Sequence, residues 1–393
     1  MATPEDLYKE LIQILSARKS EEALEIEILS AGLGPILQDG NFIGISKKAL
    51  VQVFAIARHV FFNQLVRLDD DGLLATILRE SFEDGAATKD AAVDTEIILL
   101  FDCEHLTACN WRKRRLEALI RSREVDTLSG DGMLVSSLLE RERSLMTTYL
   151  CSPLHRHTKS PTLWHHRLWV MTQLMRIWFI PAINSSLGTT TATTELLVAS
   201  SIESSGSEES GPMEILRRLI NAELDVVFRA GEKHPRNYYA FSYMRQLHRA
   251  LPDIFEHVTV STTNSKSIDD VFSDLAGCIL DSTLTWCLAH LRDISGWTFL
   301  LYLLQAVRTE QRQRLVVDRV IQFALNVGWE GESLWTFVDL AVRNFGMKVK
   351  LFQSGDGEDN FTDNSIEKKP PWKKWAARAK VLRLAAVDDA KTV

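Results

Sequence analysis

The stretch Lys159-Ser160-Pro161-Thr162-Leu163-Trp164-His165-His166-Arg167-Leu168-Trp169-Val170-Met171 limits the possible folds most, because degraded copies of it open at four other places. It reads as a helix start: Ser160 suits the N-cap, and Pro161 the first helical position, where its missing N–H does no harm. Trp164, Arg167, Leu168 and Met171 then share one helix face. The other copies are Trp111-Arg112-Lys113-Arg114, Arg236-Asn237-Tyr238-Tyr239-Ala240-Phe241, Asp293-Ile294-Ser295-Gly296-Trp297 and Glu332-Ser333-Leu334-Trp335. Each follows a long apolar-rich helical pattern and a turn, so the unit is a helical hairpin with an aromatic residue near the start of its second helix. Such a hairpin cannot bury its apolar face alone, and stacked copies share a core. The last two aromatics, Trp297 and Trp335, are separated by 38 residues, near the period of two-helix repeats.

The rest of the chain is organised around this series. Thr3-Pro4-Glu5-Asp6 reads as a capped helix start, a second helix is expected from Ser20 through Ile28, Asp39-Gly40-Asn41 is a turn, and Ser46 opens an apolar helix to about Leu65. Residues 1–89 are thus expected to form an N-terminal helical extension or cap, residues 90–345 the repeats, and residues 346–393 a linker and basic tail. The Ser/Thr-rich segment 184–211 is expected to be a disordered insertion, since it has too little apolar surface to order itself. Basic residues of the tail from Lys368 to Arg383 read as a solvated face, with an amphipathic helix for an acidic partner or anionic membrane as the other reading.

Of 393 residues, 46% are hydrophobic and 25% charged, which suits a folded soluble chain. The net charge of −7 speaks against general nucleic-acid binding. No apolar run is long enough for a membrane span, and the acidic start MATPEDLYKE does not resemble a targeting peptide, so a cytoplasmic location without stable membrane insertion is expected. Five scattered cysteines contain no CxxC pair, which points to reduced thiols. Cys151, His155, His157, His165 and His166 have metal-ligand chemistry in an unfamiliar spacing, and read as packing or surface side chains. Trp111, Trp164, Phe241, Trp297 and Trp335 read as wedges between hairpins. Arg114 and Arg167, three residues past a Trp, read as clamps on carbonyls or carboxylates of the adjacent hairpin. Lys159 and Arg236-Asn237-Tyr238-Tyr239 lie just before or at helix starts, where backbone N–H groups and a cation can hold an anion.

The ordered series Lys-x-x-x-x-Trp-His-His-Arg, Asn-Tyr-x-Ala-aromatic and Ser-x-Trp resembles the repeats of protein prenyltransferase alpha subunits over roughly residues 90–345, closest to the branch called prenyltransferase alpha subunit repeat-containing proteins. The resemblance implies an all-α, right-handed α-solenoid of helical hairpins that wraps a separate beta subunit. That partner carries the catalytic zinc, and this chain binds no cofactor itself. The reaction implied is transfer of a farnesyl or geranylgeranyl group from its diphosphate to a C-terminal cysteine of a substrate protein. Carried over residue by residue, Lys159 matches the family's diphosphate-contacting Lys, and Asn237, Tyr238 and Tyr239 match the Asn-Tyr-His element bordering the same pocket, with Arg236 beside them. Departures are Pro161 for Tyr, Tyr239 for His, Phe241 for Trp and Met244 for Arg, with Arg245 one place late. The competing reading is a non-catalytic helical-repeat scaffold or a substrate-presenting protein.

Overall fold

The computed structural model describes residues 3–19, 22–30, 32–67, 86–125, 132–185, 212–259, 268–347 and 371–389. The expected disordered insertion lies outside them from residue 186 to 211, as does the linker segment 348–370. The fold is all-α hairpin repeats, with one small sheet near the N-terminus. The chain divides into two compact units, Met1–Thr262 and Thr263–Val393, a boundary that falls inside the expected repeat region.

The first unit begins with α1 (Pro4–Ala17), closed by a capping box in which Thr3 and Asp6 exchange hydrogen bonds. Next come β1 (Glu25–Leu29), β2 (Ile36–Asp39) and β3 (Phe42–Ser46), then α2 (Lys47–Arg67). Three hairpins follow: α3 (Ala86–Phe101) with α4 (Leu106–Val125), α5 (Gly132–Cys151) with α6 (Pro161–Ser185), and α7 (Pro212–Lys233) with α8 (Tyr238–Thr259). In sequence neighbours the second helices also touch, α4 against α6 and α6 against α8. Aromatic rings act as the wedges expected of them: Trp111 meets Phe61 of α2 edge-on at 5.7 Å, and Trp164 meets Tyr243 of α8 at 5.1 Å.

The expected helix from Ser20 through Ile28 is a correction: residues 25–29 are a strand. The alternation Glu-Ile-Glu-Ile favours an extended edge once Ile26 is buried opposite Ile43 of β3. The sheet order is β1-β3-β2, with β1 parallel and β2 antiparallel to β3, and Asp39-Gly40-Asn41 makes the expected hairpin turn with Gly40 at φ 57°. The outer edge of β1 is not left open. Hydroxyls of Thr148 and Ser152 accept from the Leu24 and Ile26 N–H groups, each at 2.9 Å, and Ser144 donates to the Glu22 carbonyl. Ser144, Thr148 and Ser152 follow at four-residue steps, so a single stripe along α5 and its end closes the strand.

The described residues of the second unit form α9 (Ile268–Ala289) with α10 (Ile294–Ala306), α11 (Glu310–Val327) with α12 (Glu332–Asn344), and α13 (Pro371–Asp389) packed on α11 and α12. Trp297 and Trp335 are fully enclosed, and the Trp297 ring lies 5.1 Å from Phe337 of α12. Gly296 is required beside Trp297 because a Cβ there would approach the Trp286 ring to 2.5 Å. The basic tail is therefore a helix docked through its small face: Ala376 and Ala379 are buried, and Trp375 donates to Asp339 at 2.9 Å.

Replacing Thr148 by Val and Ser152 by Ala leaves the Leu24 and Ile26 N–H groups without these acceptors, which should cost about 1–3 kcal/mol per group. Hydrogen exchange should accelerate at Leu24 and Ile26 in this variant while the amides of α6 stay protected.

Candidate functional site

The residues singled out by sequence converge on the starts of the second helices, and one register governs them. Ser160 caps α6 by accepting from the Leu163 N–H at 3.1 Å, and Asn237 caps α8 by accepting from the Ala240 N–H at 3.2 Å. Asp293 caps α10 through the Ser295 and Gly296 N–H groups at 2.9 and 3.2 Å. The aromatic residue stands four places after each cap, as Trp164, Phe241 and Trp297.

This register moves the first repeat. The cap of α4 is His105, whose Nδ1 accepts from the Ala108 N–H at 3.2 Å, so the equivalent of Trp164 is Cys109 and that of Arg167 is Arg112. Trp111 and Arg114 lie two places later. Trp111 still packs, against Phe61, but Arg114 is exposed and clamps nothing in the manner of Arg167. The Trp-x-x-Arg spacing points to Arg114, whereas the position relative to the cap makes Arg112 the counterpart of Arg167.

Arg112 and Arg167 have nearly identical surroundings. Arg167 grips Glu223 of α7 with Nε and Nη2 at 2.7 and 2.8 Å, while Nη1 donates to the Arg143 carbonyl and Thr147 hydroxyl of α5 at 3.0 and 2.8 Å. Arg112 grips Glu142 of α5 at 2.8 and 2.6 Å, while Nη1 donates to the Ala92 carbonyl and Thr95 hydroxyl of α3 at 2.7 and 2.8 Å. Both guanidiniums and both carboxylates are buried. Each Glu also binds its own hairpin's second helix: Glu142 takes His166 Nε2 at 2.8 Å, and Glu223 takes the Tyr243 hydroxyl at 2.5 Å. One carboxylate thus joins two successive second helices through the helix between them. At the equivalent place in α8 stands Met244, fully buried, and this chain of clamps ends there.

These pairs keep their charges although burial opposes it. Burial raises and the partner guanidiniums lower the Glu142 and Glu223 carboxyls, and the guanidiniums prevail, holding both below the usual carboxylate range. Burial works to lower His166, but hydrogen bonds with Cys109 and Glu142 and the Glu142 charge raise it to about 9.

Lys159, Arg236, Asn237, Tyr238 and Tyr239 are brought together by two crossing bonds between the loops before α6 and α8. Asn237 Nδ2 donates to the Thr158 carbonyl at 2.7 Å, and Lys159 Nζ donates to the Pro235 carbonyl at 3.1 Å. Asn237 is fully buried and its carboxamide serves the cap and this crossing. Arg236 adopts φ 60°, which turns the chain into α8. Tyr238 and Tyr239 project outward, 59% and 41% exposed, and Arg245 lies 5.6 Å over the Tyr238 ring. Beside them a groove of about 340 Å³ between α6 and α8 is bordered by Pro161, His165, Leu168, Tyr238, Tyr239 and Gln246. A second, of about 330 Å³ between α4 and α6, is bordered by Lys113, Pro161, Thr162, His165 and Trp169. Pro161 and His165 form the divide between the two.

The Cys/His set does not assemble. His157 binds the Leu99 carbonyl at 2.9 Å, His166 binds Glu142, Cys151 faces the Val226 carbonyl at 3.6 Å, and His155 packs against His234. Among the described residues no group of three or more Cys, His, Asp or Glu side chains is placed to hold a metal ion. Among them, too, no helix is long and apolar enough to cross a membrane.

One stretch of this register matches a known repeat. Residues 220–251, from Glu223 through the Asn237 cap to Phe241 and Met244, match the protein prenyltransferase alpha subunit repeat. The chain is also 26% identical over 223 residues to zebrafish (Danio rerio) protein prenyltransferase alpha subunit repeat-containing protein 1, a match that covers 56% of this chain and 39% of that protein. The chain thus carries the prenyltransferase alpha-subunit repeat, on a helical-hairpin fold of the α-solenoid class.

Arg167→Met should leave Glu223 buried without its main counter-charge and cost about 3–5 kcal/mol in urea unfolding, whereas Arg114→Ala should stay within about 0.5 kcal/mol of the parent. His166 supplies a pH signature. Its folded pKa lies above the unfolded value of about 6.5, so its contribution is complete below that pH and is lost as pH rises through about 9. Urea midpoints should therefore fall between pH 6.5 and 9.5, and His166→Gln should flatten that decline.

Proposed function

We propose that the chain is the alpha-subunit-like component of a heterodimeric protein prenyltransferase, helping to move a farnesyl or geranylgeranyl group from its diphosphate to a cysteine near a protein's C-terminus. The match of residues 220–251 to the alpha-subunit repeat carries this reading, because it contains the Asn237 cap and the exposed Tyr238 and Tyr239 beside Lys159.

In this reading a partner beta subunit would hold the zinc and the isoprenoid, and the zinc would supply the substrate cysteine in its nucleophilic, deprotonated form. The sulfur forms a bond to C1 of the isoprenoid as the C1–oxygen bond breaks, and the electron pair leaves with the diphosphate. This chain's part is electrostatic. Negative charge grows on the departing oxygen, and a cation already placed there favours the transition state more than the ground state. Lys159 is that cation. Pro161, Tyr238 and Tyr239 shape the wall next to it and keep water from the reacting carbon.

The test is co-expression with a prenyltransferase beta subunit, followed by transfer of labelled isoprenoid to a cysteine-ended protein. Transfer should appear only with both chains. Lys159→Ala should retain the complex and reduce kcat by about 10²–10³; undiminished turnover would remove Lys159 from the chemistry. A stable fold that recruits no beta subunit and other proteins instead would favour the scaffold reading.

A further inference from the structure

In three second helices the opening Trp closes a carbonyl six residues upstream. The indole N–H of Trp164 donates to Thr158 at 2.9 Å, that of Trp297 to Leu291 at 3.1 Å, and that of Trp335 to Trp329 at 2.7 Å. The geometry answers a recurring need, since the turn before each helix leaves a carbonyl pointing at the ring with no backbone donor. In two repeats the aromatic position has no N–H to give. It is Cys109 in α4 and Phe241 in α8, and the carbonyls six places upstream belong to Cys103 and Pro235.

Both of those carbonyls are nevertheless closed, and by adjacent residues of one loop. Ser160 Oγ donates to the Cys103 carbonyl at 3.1 Å, and Lys159 Nζ donates to the Pro235 carbonyl at 3.1 Å. The loop before α6, in the repeat that keeps its Trp, reaches one way to serve the repeat with Cys and the other way to serve the repeat with Phe. We propose that at rest the Lys159 ammonium stands in for the indole missing at position 241, and that Phe241 thereby sets how readily this ammonium can be given up to a diphosphate.

The second half of this proposal rests on the prenyltransferase reading; the first does not. An exposed ammonium–carbonyl bond is weaker than a pairing of that ammonium with a dianion, so diphosphate can draw Lys159 off Pro235. The cost of doing so is that the Pro235 carbonyl, on an exposed residue, exchanges a fixed donor for water at the mouth of the turn that holds Arg236 at φ 60° and carries Tyr238 and Tyr239. An indole at position 241 would remove that cost. Departure of the family's Trp and the rest position of its Lys are then one coupled feature.

The experiment is a four-chain cycle: parent, Lys159→Met, Phe241→Trp and the double variant. Lys159→Met should lower the thermal midpoint by about 2–4 °C where residue 241 is Phe, and leave it nearly unchanged where residue 241 is Trp, whatever Phe241→Trp costs by itself. Additive shifts would overturn the proposal. Should the Trp chains fail to fold, the Pro235 carbonyl 13C resonance decides. It should move in Lys159→Met and not in Lys159→Arg; no movement in Lys159→Met overturns the assignment. The diphosphate half is read with inorganic pyrophosphate on the complex with a beta subunit: Phe241→Trp should tighten its binding several-fold. Coupling of midpoints without that tightening would keep the stand-in role and overturn the delivery of Lys159 to diphosphate.

Discussion

A guanidinium and a carboxylate removed from water must satisfy each other completely, and the arrangement of the first unit follows from doing this twice. Arg167 with Glu223 and Arg112 with Glu142 each use a two-bond grip, and the remaining guanidinium edge is met by a carbonyl and a Thr hydroxyl. A buried pair of this kind contributes little net stability compared with an apolar pair, and breaking it is expensive. What it supplies is register. Only one relative placement of α4, α5, α6 and α7 serves all the bonds, so the row of second-helix starts is held at fixed spacing.

That spacing is what makes the row usable. Caps at Ser160 and Asn237, the crossing bonds from Asn237 to Thr158 and from Lys159 to Pro235, and the divide formed by Pro161 and His165 place two grooves side by side. Their borders carry apolar and aromatic side chains, with His165 between the two grooves and Lys113 on the far side of one. The clamp series stops at Met244, where the first unit also nears its end.

The sequence disclosed the hairpins because a capping residue, an aromatic four places on and an apolar face are local patterns. It disclosed Arg167, since a Trp three residues earlier marks the face. It did not disclose Glu142 or Glu223, because a Glu in the middle of a helix looks like any solvent-facing residue until its distant Arg is known. In the first repeat the sequence pattern and the structural register differ by two places, because Trp111 is the larger signal while Cys109, the counterpart of Trp164, carries none. Strand β1 was hidden by five residues that suit helix and strand alike, and it was decided by hydroxyls of α5 more than 120 residues away. The repeat register is written in the caps, where a single residue fixes each helix start.

We propose that this row faces a beta subunit. Hydrogen–deuterium exchange of the chain alone and with a prenyltransferase beta subunit tests it most directly. The account predicts new protection at residues 159–169 and 236–246, with the β1 edge and the outer face of α13 unchanged. Protection confined to those other surfaces, or none at the second-helix starts under conditions where the complex forms, would contradict it.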